Sequence, residues 1–141
     1  MDAKVAAAVT DTVHTGKCLC GAVTFRAAGL ADIWYCHCTQ CRAVTGHYLA
    51  TCRTERERFD ITGEISWAPH SGLSETGRCA SCASPLFWQR SGSPNMSVLM
   101  GSLDNSDGIK ALGHSFVGEK GDYYTINDGL PQFTGTPTDG F

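Results

Sequence analysis

A mainly β domain is the fold this sequence predicts, and three observations predict it. Short runs rich in β-branched and aromatic residues recur along the chain, sixteen glycines punctuate them, and no window of helical length sustains a 3.6-residue period. The runs are AVTFRA (22–27), DIWYCH (32–37), HYLATCR (47–53), FDITG (59–63), ISWA (65–68), PLFWQ (85–89), SVLMGSL (97–103), HSFVG (114–118) and DYYTI (122–126). Helices are therefore expected to be few and short. No repeat and no linker divides the chain, so one domain is expected over residues 15–135, with a loosely ordered Ala/Thr-rich leader at 1–14 and a tail at 136–141. At 141 residues the chain can bury a core without covalent cross-links. Its eight cysteines need another explanation.

Charge narrows the partners. Eleven basic residues stand against fourteen acidic ones, a formal charge of −3, and the sequence pI is about 5.9. A nucleic-acid module would present a basic face, whereas the local cluster Arg53, Arg56 and Arg58 is interrupted by Glu55 and Glu57 and reads as a solvated segment. The run VAAAV near the start is too short for a secretory h-region, and no stretch has the length of a membrane span. A cytoplasmic protein is expected, and in that compartment thiols stay reduced and clustered cysteines point to metal or catalysis.

The cysteines fall into three places: Cys18 and Cys20 in KCLCG, then Cys36, Cys38, Cys41 and Cys52, then Cys79 and Cys82 in RCASCA. Pairs spaced C-x-C and C-x-x-C suit zinc, because a tight turn aims two thiolates at one ion while backbone N–H groups support the sulfurs. A disulfide across C-x-C would be strained. The two outlying pairs together supply four thiolates, the complement of a closed structural site that ties the N-terminal strand to a later hairpin. Buried free cysteines acting as small hydrophobes are the bland alternative.

Cys36, Cys38 and Cys41 remain as a triplet, and three protein ligands with an open fourth position describe a catalytic zinc. Such a centre accepts a thiol and deprotonates it. The alternative is that Cys52 or His47 closes the site. His37 lies between two of the proposed ligands, and strand alternation turns it away from their face, toward a supporting or substrate-contact role. His37 or His114 is the candidate proton carrier. Gln40 and Arg42, one position on either side of Cys41, are candidates for orienting substrate, and His114 is a candidate for the pocket wall.

Five blocks in this order, GKCLCGAVTF, CHCTQCRAVTG, RCASCASPLFW, VLMGSLD and HSFVGEKGDYYTINDGLPQF, resemble the glutathione-dependent formaldehyde-activating enzyme family, which includes centromere-protein-V-like proteins. The resemblance spans Gly16 to Phe133. It implies a β-tent-like zinc fold of several small twisted antiparallel sheets and two zinc ions per chain, one on Cys18, Cys20, Cys79 and Cys82 and a catalytic one on Cys36, Cys38 and Cys41. The activity it implies is that of a carbon–sulfur lyase, joining glutathione to formaldehyde as S-hydroxymethylglutathione or reversing that step. The expected partner is glutathione or a glutathione adduct, with no nucleic acid and no membrane, and a homo-oligomer is left open.

This chain departs from the family pattern at four points. Ala83 stands where glycine usually follows the second pair, Cys52 and His47 are extra potential ligands, Ala43 replaces a common lysine, and Tyr123 and Tyr124 occupy a region where tryptophan is common. The rival functions are a non-catalytic binding module with a closed second site and a redox sensor that loses zinc on oxidation.

Overall fold

In order along the chain, the elements of a computed structural model, which describes residues 12–137, are β1 (Val13–Lys17), β2 (Thr24–Ala28), β3 (Ala31–Cys36), α1 (Thr39–Thr45), β4 (Leu49–Glu55), β5 (Phe59–Thr62), β6 (Ile65–Pro69), β7 (Ser74–Cys79), β8 (Pro85–Arg90), β9 (Asn95–Leu99) and β10 (Ala111–Ser115). Three single-turn 3₁₀ segments complete them. The mainly β expectation holds: among the described residues ten strands form two sheets and there is one α-helix. The leader assigned to 1–14 lies mostly outside the described residues, although Val13 and His14 already belong to β1. Residues 138–141 of the tail lie outside them as well.

The small sheet has the order β1-β2-β5 and the large one the order β10-β3-β4-β9-β8-β7-β6. Every pairing is antiparallel except β10 with β3. Period-2 alternation gives the large sheet two distinct faces. Along one row, register aligns Cys52, Val98, Phe87, Gly77 and Trp67, and this face is packed under the small sheet. Phe87 meets Phe25 of β2 and Phe59 of β5 edge to face, at 5.2 and 5.7 Å between ring centroids. Glycine is required where rings cross a strand. A Cβ on Gly77 would lie 2.9 Å from the Trp67 ring, and one on Gly16 would lie 2.3 Å from the Phe25 ring.

Two strands escape the hydrophobic pattern, and one expected strand is absent. β1 reads VHTGK and β7 reads SETGRC, polar strings held as strands by pairing partners distant in sequence. Conversely, residues 122–126 (DYYTI) pair with nothing and form a loop. Gly121 begins this loop with the Tyr123 and Tyr124 rings folded over it, and the Tyr124 hydroxyl turns inward to a histidine.

Candidate metal centres

The turn after β1 and the turn between β7 and β8 bring Cys18, Cys20, Cys79 and Cys82 together, with all four sulfurs within 4.8 Å of one another. The separations of 3.7 Å between Cys18 and Cys20 and 3.9 Å between Cys20 and Cys79 match the edge of a sulfur tetrahedron around one zinc, about 3.8 Å for Zn–S bonds of about 2.3 Å. Backbone N–H groups already face these sulfurs: Val23 donates to Cys18 Sγ, Ala22 to Cys20 Sγ, and Ser81 and Cys82 to Cys79 Sγ, at 3.2 to 3.4 Å. The Ser84 hydroxyl beside Cys82 pulls its thiol down to about 5. Four thiolates supported by donors fit a closed metal site that fastens the small sheet to the large one.

Each knuckle ends in a left-handed residue. Gly21 has φ +82°, and Ala83, whose N–H donates to the Cys79 carbonyl, has φ +64°. The knuckle therefore needs the positive φ that alanine resists, and Ala83 adopts it at a cost.

The triplet is assembled where β3 ends and α1 begins. Cys36 closes the strand, Cys41 lies in the first turn of the helix, and Cys38 caps it, its Sγ accepting the Cys41 N–H at 3.3 Å. Gly46, left-handed at φ +83°, stops the helix by donating its N–H to the Arg42 carbonyl. The three sulfurs lie within 4.8 Å of one another, so they cannot all ionise unaided. Hydrogen bonding to the Cys38 sulfur pushes Cys36 up to about 11, Cys36 and then Cys38 push Cys41 up, and the reciprocal contacts hold Cys38 well below the ordinary thiol range. A cation among them removes the conflict, which is the sense in which these residues fit a metal. The Ser115 hydroxyl, wholly buried and without a hydrogen-bond partner among the described residues, is set beside Cys36 by the β10–β3 register.

Neither residue considered as an alternative fourth ligand lies with the triplet. Cys52 is 1% exposed in the core on the opposite face of the sheet, where burial pushes its thiol up to about 12. His47 is exposed and lies tilted against Tyr48 and Tyr124, at 4.4 and 4.5 Å between ring centroids. The side chain that does reach the triplet is His70, from the turn between β6 and β7, with Nε2 at 3.7 Å from Cys41 Sγ.

Cys36 and Cys38 open onto a cleft of about 450 Å³ on the other face of the large sheet. Trp34 of β3, Thr51 of β4, Ser97 of β9, Trp88 of β8 and Ser74 of β7 line it strand by strand, with Gln40, Phe116, Glu119 and Arg90 around them. Its volume suits a small molecule, and its aromatic walls with a few polar groups suit one that is part apolar and part charged. Gln40 lines this cleft, and Arg42 is turned to another partner. Its Nε donates to the Glu119 carbonyl at 3.0 Å while the Glu119 carboxylate accepts from Thr39, and together these bonds dock α1.

His37 and His114 also lie off the cleft. Both are buried behind the triplet in a chain whose links are each 2.8 Å: Tyr124 hydroxyl to His37 Nδ1, His37 Nε2 to His114 Nδ1, and His114 Nε2 to an Asp128 carboxylate oxygen. With Asp128 accepting at its end, a proton on Nε2 of each ring satisfies every link, and Tyr124 donates to His37. Burial, then the proximity of His114, brings His37 down to about 4. The Leu130 N–H, with His114, keeps the Asp128 carboxyl below its ordinary range. This series of bonds ties the end of β3 to β10 and to the segment carrying Tyr124 and Asp128.

No curated protein matches this chain. Among solved structures, the crystal structure of a Rhodobacter sphaeroides protein is 24% identical, covers 67% of this chain and 91% of its own, and superposes with a TM-score of 0.52, a likeness of fold. The family model for the glutathione-dependent formaldehyde-activating enzyme matches residues 13–119, a span that holds both cysteine clusters, His70 and most of the cleft wall. By that match across most of its length, the chain belongs to the glutathione-dependent formaldehyde-activating enzyme family.

Proposed function

We propose that this protein is a zinc-dependent carbon–sulfur lyase-type enzyme, making or breaking the bond between a thiol such as glutathione and a small aldehyde or related electrophile. The observation that carries this reading is the triplet itself: Cys36 and Cys38 face a ligand-sized cleft, and no fourth cysteine joins them. Family membership supports the thiol and the aldehyde as substrate classes. The metal complement of the reading is two zinc ions per chain, one on Cys18, Cys20, Cys79 and Cys82 and one on the triplet.

Zinc held by Cys36, Cys38 and Cys41 would supply a fourth position in which a substrate sulfur is bound as thiolate. In the synthetic direction the thiol sulfur bonds to the carbonyl carbon, and the thiol proton ends on the carbonyl oxygen as a hydroxyl. The reverse direction returns that proton to sulfur as the C–S bond breaks.

The chain's own groups divide the remaining work. Trp34 and Trp88 wall the cleft and exclude water, while Gln40 and Arg90 offer donors to the amide and carboxylate groups of a glutathione-like substrate. His37 and His114 act as positioning residues that fix the segment carrying Cys36 and Cys38. Reduced cysteines in both clusters suit a cytoplasmic setting.

The test is elemental analysis of reduced protein, followed by glutathione titration of a cobalt-substituted sample and detection of S-hydroxymethylglutathione by NMR. Two metals per chain, a glutathione-dependent change in the triplet spectrum and adduct formation are expected. One metal per chain, or a spectrum indifferent to glutathione and other small thiols, overturns the reading.

A further inference from the structure

His70 lies 29 residues from Cys41 in sequence, and its strand pair is separated from β3 in the sheet by β4, β9 and β8. Its approach to the triplet therefore depends on the large sheet curling around the cleft. The ring is held in a definite orientation. Nδ1 lies 3.0 Å from the hydroxyl of Thr76, which is 4% exposed, and the Trp88 ring meets it edge-on at 6.5 Å between centroids. When Thr76 accepts the Nδ1 proton, the Nε2 lone pair is left facing the sulfurs, the arrangement that metal-binding histidines adopt through an outer hydrogen bond.

The distance agrees with a shared metal. Two ligands of one tetrahedral zinc, an imidazole nitrogen and a thiolate, stand about 3.6 Å apart, and Nε2 lies 3.7 Å from Cys41 Sγ. Yet His70 stands outside the group of donors that all lie within 4.8 Å of one another, touching it at Cys41 and Cys38. It is carried on a short turn at the cleft, where Gly72 has φ +54° and Leu73 is 75% exposed, so moving the ring away from the sulfurs requires a shift of this exposed turn or release of the Thr76 bond.

We propose that His70 is a displaceable fourth ligand: its Nε2 closes the triplet's metal site when no substrate is bound, and an incoming thiolate sulfur takes its place. The exchange breaks a metal–nitrogen bond and makes a metal–sulfur bond, and the thiol proton leaves as sulfur binds. The imidazole swings aside on its turn and stays in the cleft wall. This inference rests on the triplet being a metal site, as the proposed function requires.

The experiment uses the cobalt-substituted protein in four forms: wild type, Cys36→Ser, His70→Ala and Thr76→Val. Metal content is measured with absorption spectra before and after glutathione, and with metal retention against a chelator. The expected result is that His70→Ala alters the triplet's cobalt bands and weakens retention there at least about tenfold, and that glutathione abolishes the spectral difference from wild type. Thr76→Val, which keeps the imidazole but removes its acceptor, should keep the wild-type bands with weaker retention. Unaltered bands in His70→Ala overturn the proposal, as does a difference that persists at saturating glutathione. Equal metal content together with identical thiolate-to-cobalt bands in wild type and Cys36→Ser would instead mean that the triplet holds no metal, and the functional reading fails with it.

Discussion

Cys36 and Cys52 belong to adjacent strands of one sheet and point to opposite faces of it, the first onto the cleft and the second into the core. Cys52→Ala should therefore leave metal content at the wild-type value and lower stability by about 1 to 2 kcal/mol through the small void it creates. Elemental analysis and denaturant unfolding at saturating zinc check both halves. Loss of one metal would return Cys52 to the ligand set.

Burial of Cys52 also fixes a pH dependence. Its thiol ionises near 9.0 when exposed and near 12 in the folded chain, so folding favours the protonated form. The resulting stability is complete below pH 9 and is lost as pH rises toward 12, at about 1.4 kcal/mol per pH unit for one proton. Between those limits the stability of wild type should fall more steeply than that of Cys52→Ala, by that slope, in urea titrations at constant zinc.

Ala83→Gly should raise stability by about 0.5 to 1 kcal/mol, because relief of the left-handed strain at φ +64° outweighs the greater freedom of glycine in the unfolded chain. Thermal unfolding with both sites saturated measures it. A destabilised variant would mean that the alanine methyl contributes more than the strain costs.

The Tyr124–His37–His114–Asp128 chain predicts a definite pair of tautomers. Long-range proton–nitrogen NMR at pH 7 should find both imidazoles protonated at Nε2 alone. Tyr124→Phe leaves buried His37 Nδ1 without its donor, and a destabilisation of about 1 to 3 kcal/mol with unchanged metal content is expected. A Nδ1 proton on either ring would reverse the direction assigned to the chain.

Both cysteine clusters were legible in the sequence, because ligands one and two residues apart are brought together by local turns. The union of the outlying pairs across 59 residues was legible too, since a closed site needs four donors and two pairs remained. Most strands showed in their β-branched and aromatic content. β1 and β7 did not, because pairing rather than hydrophobicity defines them, and the DYYTI segment misled because its aromatic content serves a loop that packs on histidines. His70 carried no local signal: PHSG reads as an ordinary turn, and its nearness to Cys41 comes from the curl of five strands. The bond from Arg42 to the Glu119 carbonyl carried no local signal either, since its acceptor is 77 residues away.

Cys38 Sγ is both the cap of α1 and one of the three sulfurs of the triplet. At seven residues the helix is too short to persist by itself, so it depends on its end caps and on the Glu119 contacts. Alkylation or oxidation of this one sulfur would remove a candidate metal donor and an N-terminal acceptor together. Chemical damage at the centre would thereby be converted into local unwinding, detectable as faster amide exchange at Cys41 and Arg42 before the sheets themselves loosen.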